Sequence, residues 1–112
     1  MSKPNFPPLE KDYYRVLAPI QRSVVFFWAE WSPSDLMLLQ VLDHVAPEFN
    51  AQFAFFVADL DDEGVWPLAV ETDILTTPTL VLFQYGQETA HSVGFVTEVA
   101  LRQKLNEWLA LT

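Results

Sequence analysis

At 112 residues, with 51% hydrophobic positions including nine Phe and four Trp, the sequence has the material for one domain with a core of its own. It has no Cys, which excludes a disulfide, a thiolate nucleophile and any cysteine-bound metal. Fifteen acidic residues against six basic ones give a formal net charge of −9. The cations Lys3, Lys11, Arg15, Arg22, Arg102 and Lys104 are scattered among acids, so neither nucleic acid nor an anionic membrane surface is an expected partner.

In chain order, residues 1 to 8 (MSKPNFPP) are polar and proline-rich and read as an irregular arm or a short edge strand. Leu9, Tyr13, Val16 and Leu17 recur at helical spacing up to Pro19, predicting a helix over 9 to 18. Arg22 to Ala29 is a continuous apolar run of the kind found in buried central strands. Leu36, Leu39, Leu42, Val45 and Phe49 mark a long helix, which Pro47 should bend or end near Ala46. Gln52 to Leu60 predicts a second buried strand, closed by Asp61-Asp62-Glu63-Gly64. A short helix follows from Val65 to about Thr72. Thr79 to Phe83 is a third strand, Tyr85-Gly86 a turn, and Glu88 to Phe95 a fourth strand with Gly94 inside it. Leu101, Leu105, Trp108 and Leu109 give a last amphipathic helix capped by Thr97.

This order of helices and strands predicts an α/β fold with a parallel-then-antiparallel sheet, four- or five-stranded, with helices on both faces. Residues 9 to 112 form its single domain behind the arm. The absence of a transmembrane-length run and of an apolar leader adds the expectation of a soluble, cytoplasmic protein.

The junction of the first strand with the long helix is the most informative stretch: Phe27-Trp28-Ala29-Glu30-Trp31-Ser32-Pro33-Ser34-Asp35. Ser32 stands where a helix N-cap accepts from the backbone, Pro33 suits the first helical position, and Asp35 falls in the first turn, where it complements the macrodipole. As a nucleophile Ser32 would need a base in reach. His44 is twelve residues along the helix, roughly 18 Å by helical rise, the position of His91 relative to Ser32 is not readable, and Asp35 lacks an orienting partner. Asp35 would also repel an anion from this helix end.

FWAEW, followed by four residues and a Leu-rich helix, resembles the active-site segment of thioredoxins, where the four residues are Cys-Gly-Pro-Cys. The TTPTLVLF segment resembles that family's cis-proline strand entry, and VGF its hairpin glycine. The resemblance covers roughly residues 9 to 111 and implies a thioredoxin-like fold. Ser32 and Asp35 then occupy the two cysteine positions, so no dithiol–disulfide activity and no catalytic residue is expected. Phe26 and Val57 match the buried acid and the lysine that assist the cysteines. Replacing a buried charge pair by packed apolar groups is often neutral or stabilising by roughly 1–4 kcal/mol, so all four changes are consistent with one loss of chemistry.

The resemblance also implies a cis Thr77–Pro78 bond that leaves the Thr77 backbone facing a groove beside residue 32. The expected binding residues are Trp31, Ser32, Pro33, Leu75, Thr76, Thr77, Pro78, Val93 and Gly94. The expected partner is an extended or partly folded segment of another protein, held by strand addition, with the acidic charge favouring a basic client. An oligomer-forming subunit, monomer or homodimer being undecided, and a non-redox enzyme using Ser32 and Asp35 remain as alternatives. The acidic cluster Asp59, Asp61, Asp62 and Glu63 lacks calcium-loop spacing, and His44 and His91 are single; no metal and no cofactor is expected. Trp66 is either a ring packed over the sheet edge or an exposed interaction residue.

Overall fold

The structure, a computed structural model, describes residues 4 to 111. Four strands form one mixed sheet: β1 (Ser23–Trp28), β2 (Ala54–Asp59), β3 (Thr79–Gln84) and β4 (Gln87–Val93), in the spatial order β2-β1-β3-β4. β1 and β2 are parallel, and β1–β3 and β3–β4 are antiparallel. Four helices complete the fold: α1 (Tyr13–Leu17), α2 (Pro33–Val45), α3 (Trp66–Glu71) and α4 (Glu98–Leu109). The expected α/β class and thioredoxin-like architecture are what the chain adopts.

Why β1 has no polar alternation follows from its place. It is flanked by β2 and β3 and covered on both faces, and all six of its residues are buried. Val24, Phe26 and Trp28 point to one face, where they pack with Leu38, Leu42, Val45, Leu101 and Trp108 of α2 and α4. Val25 and Phe27 point to the other, against Leu9, Leu17, Val65 and Leu68. The period of two in a strand thus splits one apolar run between two cores.

The N-terminal reading is corrected. The helix begins only at Tyr13, and Leu9, 2% exposed, lies in extended chain. Pro8 bridges Val57 in parallel, with Leu9 N–H donating to the Val57 carbonyl at 2.8 Å and Val57 N–H to the Pro7 carbonyl at 3.1 Å. Two prolines hold the backbone extended, and neither bond needs a proline N–H: Leu9 and Val57 donate, and the Pro7 carbonyl accepts. Phe6 packs on one core and Leu9 on the other, as three residues of extended chain require. The arm therefore lies along the β2 edge at Pro7–Leu9; residues 1 to 3 of the arm fall outside the described residues.

Pro47 acts where expected: α2 ends at Val45, and Ala46–Phe49 continues as a 3₁₀ turn. Tyr85 and Gly86, at φ 49° and 79°, make a two-residue hairpin loop, and both positive values are those of a type I′ turn. Thr97 caps α4 by accepting from Ala100 N–H at 3.2 Å. Gly94, by contrast, is not inside β4, which ends at Val93. At φ 91°, with nothing within 4 Å of where a Cβ would stand, Gly94 is required there by backbone conformation alone.

On the outer surface of the first core, Arg102 of α4 makes a bidentate pair with Glu48 (Nε–Oε1 3.0 Å, Nη2–Oε2 2.7 Å) and reaches Glu98 at 3.3 Å, while His44 lies 3.1 Å from Glu98. The Arg102 hydrogen bond holds the Glu48 carboxyl below the usual carboxylate range, and His44 followed by Arg102 does the same to Glu98.

Candidate functional site: the groove beside the start of the long helix

β1 and β2 are parallel, so their carboxyl ends reach the same edge of the sheet, the usual place for a site in such folds. The chain leaves β1 through Ala29, Glu30 and Trp31 and enters α2 at Pro33. It leaves β2 through Leu60 and Asp61. Between these two exits and the segment preceding β3 lies a groove of about 440 Å³, lined by Ala29, Trp31, Ser32, Leu60, Asp61 and residues 74 to 77.

Asp35 carries the geometry of this corner. It is 0% exposed, and a buried carboxylate requires hydrogen-bond donors. Its Oδ2 accepts from Ala29 N–H at 2.8 Å, and its Oδ1 accepts from the hydroxyls of Ser32 at 3.1 Å and Ser34 at 3.4 Å. This corrects two expectations. Ser32 is the N-cap by position, with its carbonyl accepting from Leu36 N–H, yet its hydroxyl makes no capping bond and is turned onto Asp35. Asp35 has orienting partners and sits inside, because the tight β1–α2 turn aims the Ala29 N–H inward and the third helical residue is the one that can reach it. Both histidines are engaged elsewhere, His44 with Glu98 and His91 with Glu88. Neither serves Ser32 as a base.

Beneath this corner Phe26 and Val57 are direct register partners across the β1–β2 pair, 1% and 3% exposed. The Phe26 ring lies 5.9 Å from that of Trp28. The two positions that would carry a buried charge pair are therefore neighbours in an unbroken apolar layer.

The solvent-facing side of the groove has the opposite character. Trp31 is 73% exposed and Leu75 86%. The Thr77–Pro78 peptide is cis. Thr79 Oγ1 donates to the Thr76 carbonyl at 2.8 Å, and Gly94 N–H donates to the Pro78 carbonyl at 2.8 Å, which fixes the segment on both sides of Thr77. The backbone N–H and C=O of Thr77 itself have no partner among the described residues.

Of the expected binding residues, the fold brings Trp31, Ser32, Leu75, Thr76 and Thr77 into the one groove. Pro33, Pro78, Val93 and Gly94 are not in its lining. Pro78 is buried beneath it, and Val93, paired with Thr79, leads into Gly94 on the far side of the proline. Leu60, Asp61 and Ile74 line the groove as well, beyond the residues expected. The signal for Leu60 and Asp61 is the parallel pairing of β1 with β2, which puts the residues just past Asp59 beside those just past Trp28, whereas Ile74 enters with the segment that precedes β3. Trp66 donates its indole N–H to the Leu60 carbonyl at 2.8 Å and is 51% exposed, so it bonds to the loop it follows and still presents half its ring to solvent. Asp59 and Asp62 accept from the N–H groups of Asp61 and Gly64, each at 2.9 Å, which makes them loop-forming residues.

The family model for thioredoxin matches residues 9–107 of the chain. The chain belongs to the thioredoxin family. It is similar to thioredoxin of Haemophilus influenzae, 32% identical over 81 residues that make up 72% of this chain and 74% of that protein. It is also similar to thioredoxin of Pyropia yezoensis, 29% identical over 87 residues, 78% of this chain and 79% of that one. A bifunctional thioredoxin reductase/thioredoxin of Mycobacterium leprae is 34% identical over 92 residues, 82% of this chain but only 20% of that longer protein. Among solved structures, a chain from a study of thiol resolution in a yeast mitochondrial 1-Cys peroxiredoxin superposes with a TM-score of 0.80 at 20% identity, covering 96% of this chain and 99% of that one. That likeness concerns the fold. As a family member without cysteine, this chain has no dithiol to oxidise or reduce. Among the described residues no helix is long and apolar enough to cross a membrane.

Proposed function

We propose that this protein is a redox-inactive member of the thioredoxin family that binds an extended or partly folded segment of a partner protein in the groove between Trp31 and Thr77, in a chaperone-like or adaptor role. The observation that carries the reading is the unpaired backbone of Thr77 set between two strongly exposed apolar side chains, Trp31 and Leu75. An extended segment laid along Thr77 would complete its N–H and C=O as an added strand, and the two side chains would cover alternate residues of that segment. Asp61 in the groove lining and the neighbouring Glu30, within a chain of net charge −9, favour a segment that carries Lys or Arg beside its apolar residues.

The test is binding to an array of extended peptides that vary apolar and basic content independently, repeated with Thr77→Arg. Retention of the same peptides by Thr77→Arg would refute the groove as the site. An insulin-reduction assay with dithiol present is expected to show no catalysis, and turnover abolished by Ser32→Ala would replace this reading with the enzymatic one.

A further inference from the structure

A second recess lies away from the groove, at the other end of β3, about 13 Å further along the strand by its rise per residue. It has a volume of about 180 Å³, far above the ~10–15 Å³ that a single water needs. Leu68 and Phe83 form an apolar floor, and the side chains of Tyr13, Tyr14, Glu71 and Glu88 surround it. The lining contains two carboxylates, two phenol rings and no basic residue. Glu88 is paired with His91, whereas Glu71 has no cationic partner among the described residues. The Tyr13 hydroxyl is held protonated to higher pH than usual by burial and then by the Glu71 charge, and both residues line the recess.

We propose that this recess is a binding site for an organic cation with a short apolar stem, an alkylammonium or alkylguanidinium group. Each part of such a ligand has its counterpart. The stem lies on Leu68 and Phe83, the cationic head pairs with Glu71, and the lining holds two tyrosine rings, a group type that attracts cations. An anion is disfavoured by the two carboxylates, and a neutral molecule gains no pairing with Glu71. The same chemistry is carried by a free small amine and by a Lys or Arg side chain of another protein. The site is independent of the groove, sharing no lining residue with it.

The test is a titration with n-butylguanidinium and n-butylammonium, with n-butanol as the neutral isostere, followed by amide chemical shifts in the intact protein. The expected result is saturable shifts at Tyr13, Leu68, Glu71 and Gly86 with either cation, little with butanol, and affinity lowered about fivefold or more by Glu71→Gln, consistent with loss of one charge-assisted partner. Glu71 is exposed, so this variant retains the fold. A peptide with one central Arg flanked by small residues, run beside the free cations, separates the sources: tighter binding of the peptide assigns the site to a protein side chain, and tighter binding of the free cation to a small amine. Absence of saturation with both cations, equal binding of butanol, or unchanged affinity in Glu71→Gln would overturn the proposal.

Discussion

The interior of the β1–α2 corner and the exposed groove wall, to which Trp31 of that same turn and residues 75 to 77 before β3 both contribute, treat their polar and apolar groups in opposite ways. In the corner the charged group is satisfied and the rest is packed away: Asp35, fully buried, receives a backbone N–H and two hydroxyls, Phe26 is the buried register partner of Val57, and the Trp28 indole N–H is the one buried side-chain donor there without a partner among the described residues. On the wall, Trp31 and Leu75 stand in solvent and Thr77 has an unused N–H and C=O. A sequence selected for stability alone would be expected to cover such groups, as it did a few residues away. The contrast supports the proposal that binding takes place on the wall, with the corner holding it still.

Breaking the corner should have the largest effect. Phe26→Asp places an unpaired carboxylate in the apolar layer and is expected to destabilise the protein by about 3–5 kcal/mol, read as a fall in the urea midpoint. Adding Val57→Lys, its register partner, should recover part of that loss; no recovery would mean that the two positions do not interact. Asp35→Ala removes the acceptor of three donors and is expected to cost about 2–3 kcal/mol, with Asp35→Asn milder because one oxygen acceptor remains.

Breaking the wall should do the reverse. Trp31→Ala and Leu75→Ser are expected to leave stability within about 0.5 kcal/mol and to weaken binding of a selected peptide about 30-fold, the size of a hot-spot loss near 2 kcal/mol. If stability falls instead, these side chains belong to the core's support and the contrast collapses.

The smallest effect concerns the ionic tie that joins α2 and the 3₁₀ turn after it to α4. The carboxyls of Glu48 and Glu98 titrate below their ordinary range in the folded protein, Glu48 through Arg102 and Glu98 through His44 and then Arg102. Their contribution is therefore present above the ordinary carboxylate pKa and lost as pH falls through the depressed folded values. Both are solvent-exposed, so the change is slight. Arg102→Ala should flatten the acid limb of the urea-midpoint profile without altering peptide binding.

Much of this contrast is legible in the sequence, and its gaps have physical reasons. The unbroken run from Val24 to Trp28 fits only a central strand, and Pro47, Tyr85-Gly86 and Thr97 mark their turns and cap through local chemistry that needs no tertiary information. Leu9 reads as helical because its spacing to Tyr13 and Leu17 fits a helix, but two preceding prolines and the open edge of β2 supply extended pairing that periodicity cannot register. Gly94 reads as part of a strand because its φ is invisible in the residue pattern. The missing cysteines and the apolar Phe26 and Val57 are plain in the residues themselves, whereas the clasp on Asp35 is not: residue type suggests an exposed helix start, and only the turn geometry shows that Ala29 N–H points inward. Leu60, Asp61 and Ile74 join the groove through strand order, which no single stretch encodes.

The central claim, that the groove wall awaits an added strand, is tested most directly at the Thr77 amide. Its hydrogen-exchange rate and proton shift should be measured by NMR with and without a peptide chosen from the array. The account predicts that the free protein shows a fast-exchanging, unpaired amide, and that bound peptide slows its exchange and moves its proton downfield. A saturated complex in which the Thr77 amide exchanges as fast as before would contradict it.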